Sequence, residues 1–259
     1  MPDTAADFTQ DELLTVAASR AIRDRAVCFV GIGLPSAAAN LALRTHAPSA
    51  VLIYESGVIG ARPDVLPLSI GDGELADGAT AIVSVPEMFA YWLQGGRIDV
   101  GFLGAAQIDR FGNLNTTVIG PYDRPITRLP GAGGAPEIAT SARETIVVMP
   151  HSARTFVQQL DFITTVGHAR GKGTREWLGL RSKGPTRIIT SLGMLEPDPE
   201  TRELTLTGIH EGVEVQDVVR ATGWPLRVRT HVAILPPPTE HELAVLRDLR
   251  TRTDAAHAG

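Results

Sequence analysis

Cysteine, lysine and long apolar runs are scarce in this sequence of 259 residues, and each shortage excludes a class of protein. The one cysteine, Cys28, cannot form an intramolecular disulfide, and its apolar surroundings are typical of a small buried residue. No apolar run approaches the roughly 20 residues that span a membrane, and the polar, acidic N-terminus is unlike a secretory signal. The sequence therefore predicts a cytoplasmic protein that does not act in or on a membrane.

Positive charge comes almost entirely from arginine, because Lys172 and Lys183 are the two lysines among 24 basic residues. The formal net charge is -5, which argues against binding to nucleic acid or to a membrane surface. Histidines lack the spacing of metal ligands, so no metal site is predicted. They are His46, His151, His168, His210, His231, His241 and His257.

Apolar runs that are typical of buried strands alternate with helical patterns along the chain. This alternation predicts an α/β fold with a mainly parallel sheet covered by helices on both faces. We expect a single domain over residues 1–259, in which residues 236–259 form a C-terminal helical extension after three prolines. Strands are predicted at residues 26–30, 51–54, 98–103, 144–149, 187–189 and 204–207.

A carboxylate at the end of a predicted strand is the main candidate for chemistry. Residues 51–54 form a short apolar run, and Glu55 is followed by Ser56 and Gly57, where glycine permits a sharp break. In open α/β sheets, ligands bind at the carboxyl ends of strands. This position favours a functional role for Glu55. The alternative is that Glu55 caps a turn or pairs with an arginine such as Arg62.

Two glycine-containing segments leave the backbone open to a ligand. Gly31 and Gly33 separate a predicted strand from a helix, where free N–H groups can face a carboxylate or phosphate, although a tight turn also explains them. Residues 131–135 can surround a developing oxyanion with backbone N–H groups, and a flexible surface loop is the alternative. Asn113 and Asn115 are candidates for substrate binding, but Asn in a turn more often bonds its own backbone.

A further stretch, residues 167–184, is rich in glycine and in basic residues and contains both lysines of the chain. This composition predicts an exposed loop. Its arginines and lysines could bind phosphate groups, or they could only be solvated, and the sequence leaves both alternatives open.

Four separated blocks resemble the β subunit of family I CoA-transferases, and are most similar to the 3-oxoadipate type related to glutaconate CoA-transferase. The blocks occur in the same order, and the similarity runs over nearly the whole chain. They are GIGLPSAAANLA (31–42), YESGVIGA (54–61), LGAAQIDRFGNLNTT (103–117) and LPGAGGAPEIA (129–139). The resemblance implies that Glu55 is the nucleophile. It also implies that a loop supplies backbone amides to the thioester, and its residues are Gly131, Ala132, Gly133, Gly134 and Ala135.

The resemblance also implies a substrate class and a partner. Coenzyme A is then a substrate, no other cofactor is needed, and the chain acts with an α subunit in an α2β2 or larger assembly. Transfer of CoA from succinyl-CoA to 3-oxoadipate, in the degradation of aromatic compounds, is the favoured activity. Glutaconate or another dicarboxylate, a CoA-thioester hydrolase and a non-catalytic ligand sensor stay open. Arg62, Arg110 or Arg128 could bind the distal carboxylate of the acid.

Overall fold

The computed structural model describes residues 7–258 of the chain, which form an α/β fold. Its helices are α1 (Gln10–Ser19), α2 (Leu34–Arg44), α3 (Glu74–Asp77), α4 (Val85–Glu87), α5 (Ala135–Ser141), α6 (Thr174–Trp177), α7 (Val215–Arg220) and α8 (Glu240–His257). Its strands are β1 (Val27–Val30), β2 (Val51–Tyr54), β3 (Val58–Ile59), β4 (Ala81–Ile82), β5 (Val100–Leu103), β6 (Gln107–Ile108), β7 (Leu114–Asn115), β8 (Val118–Ile119), β9 (Thr127–Arg128), β10 (Glu144–Met149), β11 (Pro185–Thr190), β12 (Gly193–Pro197), β13 (Leu204–His210) and β14 (Arg227–Leu235).

The described chain divides into two compact units, one of residues 7–89 with 237–258 and the other of residues 90–236. In the first unit β1 pairs in parallel with β2, and β2, β3 and β4 follow as antiparallel neighbours. The last helix, α8, contacts α1 and α2 in this unit. Its Leu246 is fully buried in a cluster with Val16, Ala37 and Leu41, so the C-terminal helix contributes to the core.

The second unit contains the longer part of the sheet, in the order β14-β13-β12-β11-β10-β5. Parallel pairs join β5 to β10, β10 to β11 and β13 to β14, whereas β12 runs antiparallel to both of its neighbours. Buried aliphatic residues fill β5 and β10, as expected of strands inside an α/β sheet. None of the helices in residues 7–258 has the length and apolar character needed to cross a membrane.

The predicted α/β class with a mainly parallel sheet is confirmed, and six predicted strands match β1, β2, β5, β10, β11 and β13. The other eight strands, β3, β4, β6 to β9, β12 and β14, were not predicted. Helix α4 is short and continues directly into a π-helical segment, Met88–Leu93. The division into a single domain with a C-terminal extension stays a prediction.

Candidate active site

Glu55 lies at the tip of a tight hairpin. Strand β2 ends at Tyr54, and β3 returns antiparallel to it with Ile59 opposite Ile53. The Gly57 N–H donates to the Tyr54 carbonyl at 3.0 Å and closes the turn around the glutamate. The sequence predicted the strand end but not the return strand. The carboxylate is thereby presented at a fixed point rather than on a mobile loop.

Gly57 is required by the geometry of this turn. Its φ is +101°, in the region that side chains rarely adopt, and a Cβ placed there would lie 1.9 Å from the Val83 carbonyl oxygen. The Val83 N–H also donates to the Gly57 carbonyl at 2.9 Å. The segment after β4 therefore packs directly on the turn that carries Glu55, which explains the glycine of the E-S-G sequence.

The Glu55 carboxylate makes no hydrogen bond or ion pair with any residue in the described part of the chain. Arg62, the alternative ion-pair partner, instead donates to the Pro48 carbonyl at 2.6 Å. Glu55 is half-buried, and its chain neighbours Tyr54 and Val58 are buried, at 0% and 5% exposure. A half-buried carboxylate without a partner is poorly explained as a stabilising group, because charges that are removed from water are normally paired.

The neighbouring Ser56 hydroxyl strengthens this site. Its Oγ is buried and has no hydrogen-bond partner among the described residues. Buried hydroxyls are normally hydrogen-bonded, so an unpartnered one directly after Glu55 in the chain is unusual. No sequence pattern predicted a role for Ser56. Its position directly after Glu55, the candidate nucleophile, could have indicated one.

A buried polar contact ties the end of β2 to the Gly31 and Gly33 turn. The Tyr54 hydroxyl lies 3.0 Å from the Ser36 hydroxyl, in the first turn of α2. Gly33 precedes this helix with φ +78°, and no atom lies within 4 Å of a Cβ built on Gly31 or Gly33. The backbone of this turn is therefore uncovered, and its role as a ligand site stays a prediction.

The glycine-rich loop of the second unit also keeps its backbone open. Gly131 and Gly133 have φ of +103° and +49°, and no atom lies within 4 Å of a Cβ built on either. Thr116 holds the start of the loop, because its carbonyl accepts from the Gly131 N–H at 2.9 Å. The N–H groups of Ala132, Gly133 and Gly134 have no partner within residues 7–258. Three successive free donors form the kind of concave amide surface that binds anions.

Asn113 and Asn115 face inward and are occupied by the protein itself. The Asn113 amide bonds Asp109 and the backbone of residues 167 and 169. The Asn115 amide bonds the Gln107 side chain and the Val118 backbone. They are 2% and 0% exposed. Both side chains therefore stabilise the turn in which they lie. This was the alternative to a role in substrate binding.

Three arginines were candidates for binding the distal carboxylate of the acid substrate, and each of them has a partner within the chain. Arg110 lies 3.7 Å from Glu203, and Arg128 donates to the Tyr122 carbonyl while its guanidinium stacks on the Tyr122 ring. Within residues 7–258, no group of three His, Cys, Asp or Glu side chains is arranged to hold a metal ion.

Comparison with known proteins gives consistent matches over nearly the whole chain. The family described as coenzyme A transferase matches residues 12–221. The B subunit of 3-oxoadipate CoA-transferase from Pseudomonas knackmussii is 58% identical over 250 residues, 96% of each chain. The B subunit of glutaconate CoA-transferase from Acidaminococcus fermentans is 34% identical over 97% of this chain and 95% of its own. A chain of the glutaconate coenzyme A-transferase crystal structure from A. fermentans matches with a TM-score of 0.89 at 32% identity, covering 97% of this chain and 98% of that one.

Proposed function

This chain belongs to the coenzyme A transferase family, and we propose that it is the β subunit of an enzyme that transfers CoA from succinyl-CoA to 3-oxoadipate. The observation that carries the proposal is the unpaired, half-buried carboxylate of Glu55 at the tip of a tight hairpin. The relative from P. knackmussii, which is named for 3-oxoadipate, supports the choice of acceptor.

Glu55 has the chemistry that this transfer requires. Its carboxylate oxygen attacks the thioester carbonyl of the donor and expels the CoA thiolate, which leaves an acyl-glutamyl anhydride. The thiolate then attacks the γ-carbonyl of Glu55, releases the donor acid as a carboxylate and forms a glutamyl-CoA thioester. The acceptor carboxylate repeats these two steps in reverse order, so that its acyl-CoA leaves and Glu55 is regenerated. No redox change occurs.

The glycine-rich loop supplies the donors that the oxyanions of these steps need. Each attack on a carbonyl produces a tetrahedral oxyanion, and fixed N–H groups in a site with little water stabilise such charge strongly. The free N–H groups of Ala132, Gly133 and Gly134 are donors of this kind. Because Gly131 and Gly133 carry no side chains, a thioester can approach these amides closely.

Replacing Gly133 with alanine tests this role of the loop. We expect the free energy of unfolding to fall by about 1 kcal/mol, the cost of a side chain at positive φ, and kcat/KM for transfer to fall roughly tenfold or more. Gly212→Ala is a matched control, because Gly212 has φ +81° and equally open surroundings in a turn of the same unit. Urea unfolding and steady-state rates measure both effects. Equal activity of the two variants would refute the role of the loop.

An α subunit is proposed as the partner. Both curated relatives described above are named as B subunits, which supports a second kind of chain. Large apolar side chains are exposed close to the Glu55 turn, because Ile82 and Val85 are 62% and 47% exposed and flank the Val83 that packs on Gly57. Exposed apolar residues of this kind mark interfaces with other proteins. We place the α subunit on this surface, in an α2β2 or larger assembly.

A panel of dicarboxylic acids tests the proposed substrate. The complex with the α subunit is assayed with succinyl-CoA and with 3-oxoadipate, glutaconate or other dicarboxylates as acceptors. We expect the highest kcat/KM with 3-oxoadipate. Glutaconate is the second candidate, because a relative of 34% identity is named for it. Release of free thiol without any acceptor acid would instead identify a hydrolase and refute transfer.

A further inference from the structure

The chemical steps proposed above do not use the glycine-rich, basic segment at residues 167–184, and the structure gives this segment a defined shape. It forms one wall of a cavity of about 620 Å³ in the second unit. The charged side chains around the cavity are Arg175, Arg181, Lys183, Arg202 and Glu176. We call this cavity the basic pocket, because four cationic residues and one acidic residue line it.

The segment is organised by a buried arginine, contrary to the exposed loop that the sequence predicted. Arg175 is 5% exposed, and its guanidinium donates to the carbonyls of Gly167, Ala139 and Ser182 and to the Ser182 hydroxyl. No carboxylate forms an ion pair with it in the described part of the chain. These bonds fix the wall of the pocket, while the positive charge of the guanidinium stays uncompensated.

The remaining cations of the pocket are unpaired as well. The side chains of Arg181, Lys183 and Arg202 form no hydrogen bond or ion pair within residues 7–258. By contrast, the other lysine of the chain, Lys172, is bound to Glu200 at 2.7 Å. The cations that line this cavity outnumber Glu176, so an anionic ligand would relieve the solvent-screened repulsion that remains between them.

The pKa of a histidine in the basic pocket is consistent with the excess of positive charge there. The pKa of the buried His168, which also lines the pocket, is lowered to about 4, first by burial and then by the positive charges of Arg175 and Arg202. Glu176 opposes this effect without cancelling it. His168 is therefore neutral at pH 7, and its Nε2–H donates to the Pro185 carbonyl at 3.0 Å.

We propose that the basic pocket is a binding site for a phosphate-bearing ligand. Arginine and lysine together are the side chains that proteins use for phosphate, and the volume is in the range of pockets that hold a small organic ligand rather than a single carboxylate. The phosphate can belong to the nucleotide end of coenzyme A or to a separate phosphorylated molecule. The inference stands on the pocket itself and does not require Glu55 to be the nucleophile.

Isothermal titration calorimetry on the full chain in complex with the α subunit tests the proposal, with adenosine 3′,5′-bisphosphate and inorganic pyrophosphate as probes. We expect at least one probe to bind. Lys183→Ala and Arg202→Ala should each weaken its binding about tenfold, whereas Glu176→Gln should strengthen it about two- to fivefold. Arg220→Ala removes the same charge on α7, none of whose residues lines the pocket, and should change the affinity less than twofold, because Arg220 is exposed and salt screens exposed charges.

Competition with an acyl-CoA identifies the source of the phosphate. Displacement of the bound probe assigns the pocket to the nucleotide end of coenzyme A, and retention of the probe assigns it to a separate ligand. Absence of binding by both probes, or equal weakening by Arg220→Ala and Lys183→Ala, would overturn the site. The Glu55→Ala complex is expected to bind the probe normally, so a failure of the transferase proposal and a failure of this one are distinguishable.

Discussion

Glu55→Ala abolishes CoA transfer, with a loss of at least about a thousandfold in kcat, because no other side chain in the turn can form the anhydride and the thioester. The fold should survive. Since the Glu55 carboxylate has no partner among the described residues, we expect the free energy of unfolding to change by no more than about 0.5 kcal/mol. Steady-state assays of the complex and urea unfolding of the chain measure the two quantities.

Two further variants separate nucleophilic from electrostatic roles of this position. Glu55→Gln keeps the shape but removes the charge and the nucleophilic oxygen, and should be as inactive as Glu55→Ala. Glu74→Gln changes a carboxylate elsewhere in the same unit and should leave the rate unchanged. A Glu55→Gln enzyme that keeps a tenth or more of the wild-type kcat would exclude Glu55 as the nucleophile.

The purified chain without an α subunit is expected to show no transfer above background, and addition of the α subunit should restore it. The physical reason is that the proposed substrate pocket is shared, so that the isolated chain presents Glu55 without the surface that binds the acid and excludes water. Titration of the α subunit against a fixed amount of this chain gives the stoichiometry and the dissociation constant. Full activity of the isolated chain would refute the dependence.

A substitution in the exposed apolar surface locates the contact. Ile82→Glu places a charge next to the segment that packs on Gly57, and should weaken association with the α subunit about tenfold or more. Ile163→Glu is the control, because Ile163 is exposed to a similar degree, 58% against 62%, but lies in the other unit. Equal weakening by both variants would contradict the placement of the interface at β4.

The sequence predicted the parts of the fold whose signal is local. Short runs of buried aliphatic residues identified β2 and β10, because strands inside an α/β sheet are apolar throughout. Strand β14 was missed because four of its first five residues, Arg227–His231, are polar and obscure the apolar run that follows them. Strand β12 was missed because it begins with Gly193 and ends with Pro197, which are uncommon in strands.

The candidate site could be predicted only in part, for a similar reason. Glu55 follows an apolar run directly, and the glycines of residues 131–135 stand out in composition. The burial of Arg175 could not be predicted, because an arginine in a glycine-rich segment is normally exposed. One of its carbonyl partners, Ala139, is also distant in sequence. The unpaired Ser56 hydroxyl likewise depends on tertiary packing, which no local pattern records.

Mass spectrometry of the intermediate tests the central claim most directly. The complex is incubated with succinyl-CoA in the absence of acceptor acid and digested, and tandem spectra locate any CoA adduct; a parallel sample is treated with borohydride, which reduces a thioester to an alcohol. The account predicts CoA attached through sulfur to the γ-carbonyl of Glu55, and an alcohol at the same residue after reduction. An adduct on another residue, or none under conditions where transfer proceeds, would contradict it.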